Sequence, residues 1–114
     1  MCINLIVYKK TEELLYCVYP RLSNYPKSEK FCLCSDIKNA FFEILTNISL
    51  GNSVRSKRTI YLQTADGYLQ KLKTLFKLSK QRKYISVQFW EEVDIRLSEI
   101  NKLLSAYIRS SVNK

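Results

Sequence analysis

Hydrophobic residues recur every three or four positions in four separate segments of this chain, which is the spacing of amphipathic helices. The clearest segment runs from Ile37 to Ile48, where apolar residues follow i, i+3, i+4, i+7, i+8 and i+11 and polar residues stand opposite. Its apolar positions are Ile37, Ala40, Phe41, Ile44, Leu45 and Ile48. This segment is predicted to form the second helix.

The segment before it predicts a first helix from about Asn4 to Ser23. Its buried face is formed by Val7, Thr11, Leu14, Leu15, Val18 and Leu22. Pro20 removes a backbone hydrogen bond and clashes with the preceding turn, so we expect a kink or an early stop there. Residues 24–28 then connect to a second helix that is expected to start near Ser28 or Glu29.

Glycines mark two positions on either side of the start of the third helix. Gly51, followed by Asn52 and Ser53, predicts the stop of the second helix, because glycine readily adopts the left-handed conformation of a helix end. Gly67 lies inside the third helix, where it costs about 1 kcal/mol relative to alanine. Either another backbone approaches closely at Gly67, or the position is exposed and tolerant.

The third helix is predicted from about Ser56, and the fourth follows an N-cap at Ser86 and reaches about Ser110. The third helix carries the apolar stripe Leu62, Ala65, Leu69, Leu72 and Phe76. The fourth carries Phe89, Val93, Leu97, Ile100, Leu104 and Tyr107.

Four amphipathic helices with short links predict an all-α, up-down-up-down four-helix bundle that forms a single domain over residues 1–114. Several apolar residues lie beside the main stripes. They are Tyr61, Tyr68, Leu75, Trp90, Ile95 and Ile108. Such a surplus indicates an enlarged core or a subunit interface, and of the two we favour self-association.

Positive charge is concentrated in one segment. Residues 55–83 contain nine basic residues against one acid, Asp66, a net +8 of the formal +9 of the chain. A charge added only for solubility has no reason to cluster, so the segment indicates binding to a polyanion, first of all nucleic acid. The candidate nucleic-acid-binding residues are Arg55, Lys57, Arg58, Lys71, Lys73, Lys77, Lys80, Arg82 and Lys83.

Within that set, Lys73, Lys77 and Lys80 are spaced i, i+4 and i+7 on the third helix. This spacing predicts a solvent-facing ridge of lysines away from the apolar stripe.

The residues offer little for catalysis or metal binding. Without histidine there is no ordinary catalytic triad, and there is no glycine-rich phosphate loop. Cys32 and Cys34 do not have the spacing of a zinc site, and we interpret the four cysteines as reduced thiols. The acids are expected on solvated helix faces, for example Glu92 with Arg96 at i, i+4. We therefore expect no catalytic residues, no metal and no cofactor.

The compartment is inferred from two patterns. The short apolar run at Met1–Tyr8 precedes its lysines, the reverse of a secretory signal. No apolar run approaches the roughly 20 residues needed to span a bilayer. We expect a cytoplasmic protein without a membrane partner.

Residues 25–33 resemble the entry to the second helix of the Avd proteins, the accessory variability determinants of diversity-generating retroelements. Residues 62–72 resemble their third helix, and residues 84–86 followed by 99–104 resemble their fourth. The 23S rRNA-intervening-sequence four-helix proteins are closely similar and share the Ile85-Ser86 and Glu99-Ile100-x-Lys102-x-Leu104 features. Two sites depart from the Avd pattern: Cys34 stands where glycine is frequent, and residues 105–107 replace a usual Gly-Gly-Trp. These departures bear on the branch of the family and not on the bundle.

The resemblance implies a homopentameric barrel of basic four-helix protomers. It implies a non-catalytic protein that binds nucleic acid, such as template RNA, cDNA or an RNA/DNA hybrid, and a reverse transcriptase during mutagenic copying. The residues alone predict a basic, self-associating helical bundle, and the reverse transcriptase partner is implied only by the resemblance. Two alternatives stay open: an intervening-sequence-type protein of unknown role, and an interaction module that docks an acidic protein partner.

Overall fold

Four α-helices form the protein in a computed structural model that describes residues 3–112. The helices are α1 (Ile3–Val18), α2 (Leu33–Ser53), α3 (Arg58–Gln81) and α4 (Val87–Val112). Short 3₁₀ turns at Tyr19–Asn24, Lys27–Glu29 and Arg55–Lys57 connect them. Each helix packs on two others, α1 on α2 and α4, and α3 on α2 and α4. The predicted four-helix bundle is confirmed, and it measures 46 × 25 × 20 Å.

The predicted apolar stripes form the core. Every residue predicted on the stripes of α1, α3 and α4 is buried, and in α2 only Leu45 is partly exposed. Three polar side chains are also buried, and each bonds to its own helix: Thr11 Oγ1 donates to Val7 O, Asn47 Nδ2 to Glu43 O, and Ser79 Oγ to Leu75 O. The core is therefore largely apolar, and these three polar side chains are satisfied within their own helices.

The α1–α2 connection differs from the prediction in length. As expected from Pro20, α1 stops early at Val18, and the chain continues as a 3₁₀ turn. The start predicted for α2 near Ser28 or Glu29 is wrong, because Lys27–Glu29 forms only a 3₁₀ turn and α2 begins at Leu33. The backbone of Cys32, at φ −115° and ψ −98°, breaks the helical path, which allows Leu33 and the following residue to turn into the core.

Gly51 is not the helix stop that the sequence suggested. α2 continues to Ser53, and Gly51 is buried inside its last turns. A Cβ atom at Gly51 would lie 2.9 Å from Leu62 Cδ2, so any other residue there would force Leu62 to shift, and the close approach of α3 favours glycine. At Gly67 nothing lies within 4 Å of the position that a Cβ atom would take, so this glycine is exposed and tolerated rather than required by a close approach.

Most of the apolar surplus enlarges the core. Tyr68, Leu75, Trp90 and Ile108 are half-buried and pack against the central cluster. Ile95, in contrast, is 68% exposed on α4. The sequence could not separate these cases, because a residue at the edge of a stripe is covered or exposed according to the tilt of its neighbours.

Candidate nucleic-acid interface

The nine basic residues predicted as a site do not form one patch. α3 has 24 residues and is therefore about 36 Å long, so its two ends lie at opposite ends of the bundle. Arg55, Lys57 and Arg58 lie at its start, and Lys80, Arg82 and Lys83 at its finish. Lys71, Lys73 and Lys77 lie between the two groups. The density of basic residues along the sequence therefore overstated the density of positive charge at any one place on the surface.

Arg58 has a structural role at the start of α3. Its Nε donates to Gly51 O at 2.7 Å and its Nη2 to Asn52 O at 3.1 Å. Its guanidinium lies 5.9 Å from the centre of the Tyr107 ring. The side chain thus satisfies carbonyls that the end of α2 leaves without intrahelical partners, and it is half-buried. Its neighbours Arg55 and Lys57 are exposed.

The predicted lysine ridge is exposed at Lys77 and Lys80, and Lys73 and Lys80 also lie beside side chains of α4. Lys73 is half-buried with Nζ 3.8 Å from Asp94 Oδ1, and the Nζ of Lys80 lies 5.7 Å from the centre of the Trp90 ring. Lys77 is exposed, and none of the ion pairs among residues 3–112 involves it. The Lys73–Asp94 pair is at least 40% exposed on each side, so solvent screening keeps it weak and leaves the ridge positive.

The α3–α4 turn holds the last cations of the segment in fixed positions. Tyr84 N donates to Ser79 O and Lys83 N to Lys80 O, both at 2.9 Å, which is the Schellman pattern. Lys83 takes the left-handed position of this motif with φ 63° and is the sole non-glycine residue with positive φ among residues 3–112. The predicted N-cap at Ser86 is confirmed, because its Oγ accepts from Phe89 N at 3.0 Å.

The α1–α2 connection packs onto this turn and adds cations from a distant part of the sequence. Tyr84 Oη donates to Glu29 Oε2 at 3.0 Å, and the rings of Tyr25 and Tyr84 lie 5.3 Å apart. The guanidinium of Arg21 lies 4.2 Å above the ring of Phe89 at the start of α4. The two connections therefore form one continuous surface at this end of the bundle.

We name this surface the basic end. Its seven cations are Arg21, Lys27, Lys30, Lys38, Lys80, Arg82 and Lys83. Taken as far as Lys38 in α2 and Glu92 in α4, the two connections and the adjoining helix starts contain four acids. Glu29 is occupied by Tyr84, and Asp36, Glu91 and Glu92 are exposed. Within the described residues no ion pair neutralises any of the seven. Cations therefore outnumber acids on this surface, which leaves it positive.

Four of the seven cations were missed by sequence reasoning: Arg21, Lys27, Lys30 and Lys38. They are interspersed with acids and lie before α3, so no local run of charge marked them. The signal that was available is the pairing of helix ends, since in an up-down bundle the α1–α2 and α3–α4 connections share one end.

Titratable groups beneath the basic end stay neutral near pH 7. Burial raises the pKa of the Tyr25 phenol above its usual value, although the nearby Ser79 side chain acts in the opposite direction. Burial also raises the pKa of the Cys34 thiol, against the opposing effect of nearby Lys38. Neither group therefore offsets the positive surface above it.

The cysteines and acids do not assemble into a metal site in the part of the chain that the structure describes. Cys17 is half-buried and Cys32 exposed, whereas Cys34 is buried with its Sγ 3.7 Å from Leu22 O; Cys2 lies outside the described residues. Among residues 3–112 no helix is both long and apolar enough to cross a membrane.

Comparisons with known proteins support the helical resemblance. Among solved structures, the chain is similar to a protein of unknown function from the S23 ribosomal protein family of Bacteroides thetaiotaomicron, with a TM-score of 0.83 and 21% identity. That match covers 95% of this chain and 99% of the other, and at this identity it shows the shared fold. No curated protein matches. The family model described as bAvd-like matches residues 5–111, nearly the whole chain. The protein therefore belongs to the bAvd-like family.

Proposed function

We propose that this protein is a non-catalytic accessory protein of a diversity-generating retroelement that binds nucleic acid through its basic end. The observation that carries the proposal is the convergence of the α1–α2 and α3–α4 connections, which brings Lys80, Arg82 and Lys83 together with four further cations. Lysine and arginine side chains that meet no carboxylate are available to phosphates, and displacing counterions from the nucleic acid drives such binding.

The conformation of Lys83 adds support. A left-handed residue is usually glycine at this position of a helix end, because a side chain there costs free energy. Here the chain has a lysine, which places a charge on a hydrogen-bonded turn directly after Lys80 and Arg82. A role for that charge explains why the less favourable residue occupies the position.

The binding mode is directed at the phosphate backbone. Exposed lysines and arginines contact phosphate oxygens and carry little sequence information, so the affinity is expected to fall steeply as salt rises. The predicted basic residues that lie outside the basic end, including Lys71 and Lys77 on α3, extend the positive field along the helix.

Charge reversal tests this proposal. The variant Lys80→Glu/Arg82→Glu/Lys83→Glu changes three exposed residues of the basic end and should lower the affinity for a labelled single-stranded RNA by about tenfold or more at moderate salt. The matched control reverses the exposed Lys9, Lys102 and Arg109, which gives the same net charge away from the basic end. Equal loss in both variants would indicate an effect of net charge alone, and no loss in either would reject the interface.

The reverse transcriptase is the proposed protein partner, on the basis of the family. A tagged protein should recover a reverse transcriptase encoded beside it, and treatment with nuclease separates two mechanisms of recovery. Recovery that persists after nuclease indicates a direct protein contact, whereas loss indicates bridging by RNA. Persistent recovery of an unrelated acidic protein would favour an interaction module that docks an acidic partner.

The proposal also includes assembly into a homopentamer. An apolar groove on the outer side of α1 and α2 is lined by Tyr8, Phe42, Leu45 and Leu50, and Phe42 is 47% exposed there. Contiguous apolar surface of this kind is typical of contacts between subunits. Native mass spectrometry should give five copies for the unaltered protein and fewer for Phe42→Glu, with Gln63→Glu on exposed α3 as the control.

A further inference from the structure

The basic end contains a groove between the α1–α2 connection and the start of α2. The groove has a volume of about 270 Å³. Lys27, Lys30 and Lys38 line it together with the rings of Tyr19 and Tyr25. This volume is just below the roughly 300–1,000 Å³ of sites for drug-sized ligands, so the groove accommodates a group the size of one phosphate and its sugar.

The three lysines give the groove an anion-binding character. Lys27 and Lys30 are exposed, and no carboxylate among residues 3–112 pairs with any of the three. The nearest acid of the connection, Glu29, accepts a hydrogen bond from Tyr84 on the adjoining turn and is held there. A phosphate in the groove would therefore meet three cations without displacing an existing ion pair.

One exposed ring, Tyr19, lines the groove, and a second, Phe31, lies beside it next to the lining residue Lys30. Lys38 Nζ lies 4.8 Å from the centre of the Tyr19 ring, and Lys30 Nζ lies 5.4 Å from that of Phe31. Both rings are exposed, Tyr19 to 49% and Phe31 to 84%. A cation covers one face of a ring, and the other face of so exposed a ring is open to a flat partner.

We propose that this groove binds an unpaired stretch of nucleic acid, with a phosphate between Lys27, Lys30 and Lys38 and a base stacked on Phe31. The inference rests on the proposed function and specifies its ligand as single-stranded. Proteins commonly bind single strands with cations that contact phosphates and exposed aromatic rings that stack on bases, because every unpaired base has a free face. Paired bases already stack on their neighbours, so a duplex could use the lysines and not the ring.

Removal of the ring tests the stacking. Phe31→Ala should weaken binding of a labelled oligouridylate about ten nucleotides long by about fivefold or more, measured by fluorescence anisotropy. Binding of a duplex RNA of the same length should be unchanged. The control is Ile60→Ala, which removes an exposed apolar side chain from the start of α3, at the opposite end of the bundle from the groove. It should alter neither affinity.

Removal of the lysines tests the phosphate contacts. Lys27→Ala/Lys30→Ala/Lys38→Ala should reduce the slope of log affinity against log salt by about 2 on the single strand, since each contact contributes about 0.7. The control Lys9→Ala/Lys102→Ala/Arg109→Ala removes the same charge elsewhere and should leave the slope nearly unchanged. If the half-buried Lys38 proves necessary for folding, the exposed Lys30→Ala alone should reduce the slope by about 0.7.

The outcomes separate this inference from the proposed function. If the unaltered protein binds neither probe, both fail. If it binds RNA and Phe31→Ala has no effect, or weakens single strand and duplex equally, the unpaired ligand is refuted while the basic end stands. If Phe31→Ala instead lowers the number of subunits in native mass spectrometry, Phe31 belongs to a contact between copies and the inference is overturned.

Discussion

Tyr84 and Glu29, 55 positions apart in the chain, are joined by a hydrogen bond of 3.0 Å from the phenol to the carboxylate. The bond connects the turn after α3 to the 3₁₀ turn before α2, and both side chains are half-buried. It has two consequences. It fixes the relative position of the two connections that form the basic end, and it holds the carboxylate of Glu29 at one place on that surface.

Loss of this hydrogen bond should lower the stability of the protein by a measurable amount. Tyr84→Phe keeps the ring contact with Tyr25 and removes the donor, so the free energy of unfolding in urea should fall by about 1 kcal/mol. Tyr19→Phe is the matched control, because it removes a phenol hydroxyl for which no partner is seen among the described residues. A stability of Tyr84→Phe equal to that of the control, at the same protein concentration, would show that solvent compensates for the bond.

The two glycines offer a paired experiment within adjacent helices. Gly67→Ala should raise the free energy of unfolding by about 1 kcal/mol, because the site is open and alanine is the better helix former. Gly51→Ala gains the same propensity but places Cβ 2.9 Å from the side chain of Leu62, which is fully buried and cannot swing into solvent. Overpacking of this kind costs about 1–3 kcal/mol, so the net change should be destabilising.

Thermal or urea unfolding of both variants checks the pair, each serving as the other's control. If both alanine variants are more stable than the unaltered protein, the α2–α3 contact at Leu62 has enough freedom to expand. If both lose stability, an unrecognised constraint acts at Gly67.

The bundle could be predicted well from the sequence, because the buried positions of an amphipathic helix recur every three or four residues. The stripes of all four helices and the N-cap at Ser86 depend on local spacing and local chemistry, which a single chain displays directly. The end of α2 could not be predicted in this way. Gly51 has the composition of a helix stop, and only the approach of Leu62 from the next helix shows that it serves packing instead.

The interface was harder to predict, because charged residues do not recur at a fixed spacing along the sequence as buried residues do. The segment 55–83 was singled out by its local density, yet its cations are distributed along a helix and over both ends of the bundle. Arg58 is used to bond the end of α2, and Lys73 lies beside Asp94. The cations of the α1–α2 connection join the site only through tertiary contacts, such as that of Arg21 with Phe89.

Lys83 should show opposite effects on stability and on binding. Lys83→Gly removes a side chain from a left-handed backbone position, φ 63°, and should raise the free energy of unfolding by about 1 kcal/mol. The same change removes one cation from the basic end and should weaken RNA binding, with the salt slope reduced by about 0.7 on a single strand. Arg82→Gly is the control, because its φ of −79° is ordinary and glycine there should bring no gain in stability. Unchanged binding by Lys83→Gly would remove this residue from the interface.

The buried Cys34 predicts a loss of stability in alkaline solution. Burial raises the pKa of its thiol above the ordinary 9.0, so the folded state retains a proton that the unfolded chain releases. Where the unfolded state binds fewer protons, stability falls as pH rises; the contribution of Cys34 is therefore complete below about pH 9 and declines above it. Tyr25, whose pKa is raised from 10.0, acts in the same direction at higher pH.

Urea unfolding at a series of pH values from about 8 to 10 checks this prediction. Cys34→Ala can lower stability at every pH through lost packing, so the informative quantity is the decline across the series, which should be smaller than in the unaltered protein. The exposed Cys32→Ala controls for removal of a thiol and should leave the decline unchanged. An equal decline in all three proteins would mean that Cys34 ionises as readily in the fold as in the unfolded chain, because Lys38 then compensates fully for its burial.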